Sequence, residues 1–466
     1  MTPASVTIIA DLTRMKLPFV PIDSQDMLIN ALSFFITDED PRGVFVLNGY
    51  AGTGKTSVVG AFITAMKELK RSVILLAPTG RAAKVAAAFS HHPASTIHKR
   101  LYRGNSTDPS NTMFFLAPNQ QRDTLFIVDE ASLISDIPGQ GKSLLSHLIH
   151  HVYSAPGCKM ILIGDEAQLP PVGQTSSTAM DFNRLTSMGL NPVGFTLDVP
   201  VRQAAESGIL YNATNIRQLL FKSIEGAIPE LTVNKFPDVE AISSRELPDI
   251  LSDSWSKVGQ EETLIITRSN KRANDFNRAI RNMVMYAEEP IERGDRIIIA
   301  KNDYFWSKQN KRTDFIANGD MAEITWTGRL EKMYGRYFMD VELRLISDDS
   351  LIGSKLMLRS LACEGPAIPR DEMERLYNRV LASYEGSLSE QIKGVMEDPY
   401  YNALQAKYAY CVTCHKAQGG QWKHVYIDMG SIPPDAIESD FYRWLYTAIT
   451  RATEKLFFIN PTLPIV

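Results

Sequence analysis

Gly49-Tyr50-Ala51-Gly52-Thr53-Gly54-Lys55-Thr56 fits G-x-x-x-x-G-K-[ST], a loop whose backbone N–H groups cradle phosphates while its lysine reaches the terminal ones. Two further segments carry carboxylates. Leu125-Phe126-Ile127-Val128 runs into Asp129-Glu130, and Met160-Ile161-Leu162-Ile163 runs into Gly164-Asp165-Glu166-Ala167-Gln168. In P-loop NTPases the first acid after such a strand shares Mg²⁺ with the loop hydroxyl, here Thr56, so Thr56 and Asp129 are the expected metal pair. Glu130 is then placed to orient or deprotonate an attacking water. The Gln168 amide can donate and accept at once, which suits a γ-phosphate or its water. Gly49, Ala51, Gly52, Thr53, Gly54, Lys55, Thr56 and Ser57 form the expected cradle of a nucleoside triphosphate.

These groups need a scaffold that brings strand ends together. Val44–Leu47 predicts a buried strand entering the loop, and Ser57–Glu68 predicts the helix leaving it, with its positive N-terminal end toward the triphosphate. Val73–Ala77, Leu125–Val128 and Met160–Ile163 alternate with helical patterns, as in a doubly wound parallel sheet. A second set (Leu264–Thr267, His424–Ile427 and Leu456–Ile459) carries no phosphate loop of its own. Two α/β domains sharing one such loop imply a nucleotide in the cleft between them.

Between these sets, Ile291–Leu358 holds short alternating runs punctuated by Asn318-Gly319, Gly328 and Gly335, a pattern of a small β-barrel. Asp371–Asp398 predicts helix broken near Gly386. The expected organisation is a first α/β domain over 1–100 and 123–205, a short insertion over 101–122, a second α/β domain over 206–288 and 409–466, and a β-rich insertion with a helical extension over 289–408.

The 466 residues are 44% hydrophobic and 22% charged, an ordinary globular composition with room for several cores. A net charge of −4 excludes a protein coated in positive charge, so any polynucleotide site must be a local groove. No stretch approaches the ~18–20 apolar residues of a membrane span. The first residues show no secretory pattern, which makes the cytoplasm the expected location. Cys411-Val412-Thr413-Cys414-His415 formally matches a haem-attachment pattern, but no export signal accompanies it and Cys158 and Cys363 stand alone.

GYAGTGKTS (49–57), APTGRAAK (77–84), ASTIH (94–98), DEAS (129–132), GDEAQLPPV (164–172), TCHKAQGGQW (413–422) and WLYTAITRA (444–452) occur in one order. This series resembles the superfamily 1 DNA helicases, nearest the RecD and phage Dda group (superfamily 1B), which moves 5′ to 3′. The resemblance covers about residues 21–460. It implies two RecA-like domains with an SH3-like β-barrel plus helical insertion, and ATP and Mg²⁺ as ligands. Gln25 resembles the glutamine that reads adenine. Arg202 resembles the arginine on the γ-phosphate, and Arg451 the arginine finger supplied from the second domain, a role that suits an always-charged, forked guanidinium. Lys55, Glu130, Gln168, Arg202 and Arg451 are therefore the expected catalytic set.

On the same resemblance, DNA contacts line the far side of both α/β domains. Pro78, Thr79, Gly80, Arg81, Ser95, Thr96 and His98 come from the first; Thr267, Arg268, Asn270, Thr413, His415 and Lys416 come from the second. Their hydroxyls, ring nitrogens and amides suit phosphate contacts that carry no sequence information. Cys411 and Cys414 then flank a Thr-Cys-His-Lys motif as packing residues. The insertion over 101–122 stands where Dda relatives carry a duplex-splitting hairpin; Phe114 and Phe115 are either its stacking pin or its small core. Three positions depart from the pattern. Gly80-Arg81 replaces a Dda histidine, Gln421 replaces a common glutamate and leaves its ribose contact open, and Val201 replaces an adenine-stacking aromatic.

The expected activity is ATP-dependent 5′-to-3′ translocation on single-stranded DNA with unwinding of forked duplex, in repair, replication or recombination. The expected state is a monomer working beside single-stranded-DNA-binding protein. A RecD-like motor subunit, an ATP-controlled clamp and an RNA track remain alternatives.

Overall fold

The computed structural model describes residues 3–104, 114–135, 143–201, 206–222, 228–233, 235–310, 315–433 and 436–466. The chain divides into two compact units, one of Met1–Leu101, Leu116–Ser243 and Ala417–Val466, the other of Tyr102–Phe115 and Ser244–Lys416.

The first unit is built on a six-stranded sheet. Its order is Ala94–Thr96, Ser72–Ala77, Thr124–Val128, Lys159–Gly164, Gly43–Gly49, Asn191–Leu197. Every pairing is parallel, with Val128 beside Leu162 and Asn48 beside Gly164. The four strands expected from apolar runs all form, and they lie side by side at the centre. Other elements were not expected, among them one strand and two helices. Asn191–Leu197 is an edge strand whose residues are exposed or half-buried as far as Thr196, so its sequence lacks an apolar run. Pro3–Lys16 and Asp23–Thr37 are helices that pack with the helix Lys55–Glu68 over one sheet face, through Ile9, Leu28, Leu32, Phe62 and Ile63. The same unit holds a parallel set of Trp422–Asp428, Ala452–Ile459 and Val239–Ile242, and the helix Ser439–Ile449.

In the second unit Thr263–Thr267 pairs in parallel with Cys411–Thr413. A five-stranded antiparallel sheet follows the order Leu351–Met357, Arg336–Leu345, Met321–Met333, Arg296–Ile299, Ala406–Tyr408. Its core is aliphatic, with Ile297, Ile299, Ile324, Val341, Leu343 and Leu356 buried on one face. The helical extension breaks where the sequence indicates: Arg370–Leu381 ends, Gly386 takes a left-handed φ of 107°, and Leu388–Glu397 begins behind a Ser387–Glu390 capping box. Phe338, Leu376, Val380 and Val395 bury the two helices against the sheet.

Tyr102–Gly104 and Phe114–Leu116 form a two-stranded sheet, which puts Phe114 and Phe115 in a strand. Their side chains lie outside the described residues, and so does Arg202. All four cysteines are buried free thiols. Among the described residues no helix is long and apolar enough to cross a membrane.

Candidate functional site

Strand order assembles the site. Three neighbouring parallel strands end at the same edge, delivering Asp129-Glu130, Asp165-Glu166 and the phosphate loop to one place. Within the loop Gly52 and Gly54 have φ of 74° and 78°, which glycine adopts without steric cost. A Cβ on Gly49 would lie 2.7 Å from Cδ of Lys55, so the bare backbone there makes room for the lysine stem. The Lys55 ammonium, with the Gly164 carbonyl at 3.4 Å, is aimed at the carboxylate strands. Thr53 is buried and donates to the Tyr50 carbonyl, Thr56 is half-buried, and Ser57 is exposed.

Asp129 is half-buried. Burial and the neighbouring Glu130 push its carboxyl up to about 6, with Lys55 pulling the other way. Glu130 itself sits at φ 53°, a left-handed conformation uncommon outside glycine, and its Oε2 is buried with no partner. Two half-buried acids and one ammonium leave a local deficit of positive charge. That is the environment a divalent cation and a water would complete, and Asp129, Glu130 and Thr56 fit that donor set. Gln168 Nε2 donates to Asp165 at 3.5 Å, and its Oε1 is buried with no partner in the protein.

The helix Ser439–Ile449 closes on this edge with residues that sequence reading missed. The Tyr446 hydroxyl donates to Asp165 Oδ2 at 2.7 Å and accepts the Ala51 N–H at 2.9 Å. Burial raises the Tyr446 phenol, so it keeps its proton, and burial also raises the Asp165 carboxyl. Thr447 accepts the Leu169 N–H at 2.8 Å, and Arg443 donates to the carbonyls of Glu166 and Gln168. Positions 443, 446 and 447 share one helical face, the only sequence signal that could have picked them out. Asn48 ties the loop strand to its neighbour by accepting the Glu166 N–H at 3.1 Å.

Three expected residues have specific surroundings. Gln25 is buried, donating to the Thr53 carbonyl at 3.0 Å and accepting the Ile22 N–H at 3.2 Å. A Cβ on Gly54 would meet its amide at 2.3 Å. Arg451 is 3% exposed, and its guanidinium donates to the Thr447 and Gly420 carbonyls and the Thr450 hydroxyl. Gln421 offers its carbonyl to Arg81 at 2.7 Å, and the Arg81 guanidinium lies 3.9 Å from the Trp422 ring centre.

The expected polynucleotide contacts gather at strand ends, as two sets. In the first unit Leu76 and Ala77 pair with Ser95 and Thr96, so Pro78, Thr79, Gly80 and Arg81 emerge beside Ser95, Thr96 and His98. Thr79 caps the helix Gly80–Ser90 through the Ala82 N–H, and Thr96 accepts the Lys99 N–H. Burial lowers the His98 imidazole. In the second unit Thr267 pairs with Thr413, which sets Arg268 and Asn270 beside His415 and Lys416. Burial, then the Lys407 ammonium, lowers Lys416 to about 8, and burial lowers His415.

Comparison with known proteins adds an independent view. Residues 33–208 match the AAA domain family, and residues 408–459 match the UvrD-like helicase C-terminal domain. The ATP-dependent DNA helicase dda of Enterobacteria phage T4 is 23% identical over 448 residues, covering 89% of this chain and 93% of that protein. The ATP-dependent RecD2 DNA helicase of Deinococcus radiodurans is 35% identical over 133 residues, 27% of this chain and 16% of that protein. A solved Pif1 helicase from Bacteroides in complex with ADP-AlF3 and ssDNA aligns over 96% of this chain and 93% of its own, with a TM-score of 0.48 and 14% identity.

Proposed function

We infer that the protein is an ATP-dependent DNA helicase of superfamily 1, of the RecD and Dda group, translocating 5′ to 3′ on single-stranded DNA and unwinding forked duplex. One observation carries the reading. The phosphate loop, two acid pairs and a helix from the UvrD-like segment meet at one edge, joined by the Tyr446 hydroxyl.

In this reading the loop amides and Lys55 hold the ATP phosphates. Thr56 and Asp129 would hold Mg²⁺, which when bound neutralises phosphate charge. Glu130 takes the proton of the attacking water, and Gln168 holds that water in line with the γ-phosphate. Arg451 and Arg202 supply positive charge as the terminal phosphate separates; Arg451 does so by exchanging its Gly420 partner for phosphate. Closing and opening of the helix Ser439–Ile449 on the loop alternates the grip of the two contact sets, giving net motion.

The finer organisation belongs to the same proposal. Residues 1–100 with 123–205, and 206–288 with 409–466, act as two RecA-like domains. The antiparallel sheet acts as an SH3-like barrel, and the hairpin carrying Phe114 and Phe115 acts as a strand-separating pin. The working state is a cytoplasmic monomer that meets single-stranded-DNA-binding protein at the fork.

A forked duplex with a single 5′ or 3′ tail tests the reading. Unwinding should need ATP and the 5′ tail, and Lys55→Ala should abolish it while the fold persists. Unwinding by that variant, or none from either tail by the intact protein, would overturn the assignment.

A further inference from the structure

The second unit contains a cavity of about 630 Å³ well away in sequence from every motif used above. It lies between the hairpin Met321–Met333/Arg336–Leu345, the segment at Leu358-Arg359 and the helix Arg370–Leu381. Glu372, Arg375, Leu376 and Arg379 recur at helical spacing, so one face of that helix forms a wall. We propose that this cavity binds an acidic peptide segment bearing an apolar side chain, supplied by a partner protein.

The chemistry is two-layered. Leu376 and Leu358 make a buried apolar floor, while Leu330 and Tyr337 are about half exposed on the side wall (50% and 49%). Four guanidinium groups, those of Arg336, Arg359, Arg375 and Arg379, surround this floor, against a single carboxylate from Glu372. The lining therefore carries four positive charges and one negative, a formal +3, on a chain whose net charge is −4.

The arrangement is built rather than incidental. Glu372 holds Arg336 at 3.2 Å and Arg359 at 3.3 Å, fixing two forks with one acid. Arg379 donates to the Tyr334 carbonyl at 2.9 Å, across the turn of the hairpin. Gly335 in that turn has φ 72°, and a Cβ there would lie 2.4 Å from Arg379 Nη1, so glycine is what admits the guanidinium. Arg375 pairs with Asp371 at the surface, where both side chains are more than half exposed and the pair is readily exchanged for another carboxylate.

Fixed guanidinium forks match carboxylates two bonds at a time, and an apolar floor rewards a buried side chain. A nucleic-acid strand fits less well. Its backbone needs a groove lined along its length rather than a bowl with an aliphatic base.

The test uses the full chain and a fluorescein-labelled decapeptide of alternating Glu and Leu ending in Phe, with oligothymidylate as competitor. Saturable anisotropy binding is expected. Arg375→Glu and Arg359→Glu should each weaken it at least tenfold while DNA-stimulated ATP turnover stays unchanged. Arg370→Glu, on an almost fully exposed side chain of the same helix, should leave it intact. No saturable binding, or binding indifferent to the two pocket substitutions, would overturn the proposal. So would peptide displacement by oligothymidylate that is lost with the same substitutions, which would make the cavity a polynucleotide contact.

Discussion

Tyr446→Phe removes one oxygen atom and nothing else, yet that atom carries two contacts across the nucleotide edge. It donates to Asp165 at 2.7 Å and accepts from the Ala51 N–H at 2.9 Å, with the tyrosine 1% exposed. A hydrogen bond to a charged group is worth ~1.5–3 kcal/mol and a neutral one ~0.5–1.5 kcal/mol, so the pair amounts to about 2–4 kcal/mol. Should hydrolysis require the helix Ser439–Ile449 to be docked on the loop, that loss translates into a decrease of about 30- to 1,000-fold in kcat/KM. The phenylalanine ring preserves the packing, so the far-UV spectrum should be unchanged. The affinity of a fluorescent ATP analogue should change little, because the phosphate-holding Lys55 and Thr56 are untouched. The assay is steady-state ATP turnover with saturating single-stranded DNA, compared with nucleotide affinity. A cycle with Asp165→Ala should show strong coupling, since both substitutions break the same bond. Wild-type turnover in Tyr446→Phe, or additive effects in the cycle, would refute the idea that this hydroxyl links the closing helix to the loop.

Other perturbations probe separate parts of the molecule. Gly49→Ala places a Cβ 2.7 Å from the Lys55 stem, so ATP turnover should fall sharply with circular dichroism unchanged. Lys416 is lowered to about 8, so it is charged below that pH and neutral above it. Affinity for oligothymidylate should therefore decline as pH rises through 8, and Lys416→Ala should abolish that decline and flatten the salt slope by about 0.7, the increment for one single-strand phosphate contact. Asp295 is fully buried and holds both arms of the Arg281 fork at 2.9 Å. Asp295→Ala strands that guanidinium and should cost ~3–5 kcal/mol, read as a lowered urea midpoint.

Lys416 also illustrates how far chain order alone carries. The motif that singles it out is contiguous, but its lowered value depends first on burial and then on Lys407, which comes from the neighbouring strand Ala406–Tyr408. Gln25 is a second case. The resemblance makes it an expected adenine contact, while its two bonds to Thr53 and Ile22 follow from how the helix Asp23–Thr37 sits on the loop.

Local physics explains what the amino-acid order determined by itself. Glycines at left-handed positions, a lysine and threonine at a helix start, and apolar runs ending in acids all act within a few residues, so the loop, the central strands and the break at Gly386 were readable. The edge strand Asn191–Leu197 was not, because an exposed strand needs no apolar run. Only tertiary structure brought Tyr446 to Ala51, positions 395 residues apart, and Arg443 to Glu166. Those pairings depend on which strands lie side by side and which helix face covers them. Spacing along a chain encodes the face a residue occupies, whereas its partner across the fold is settled by packing.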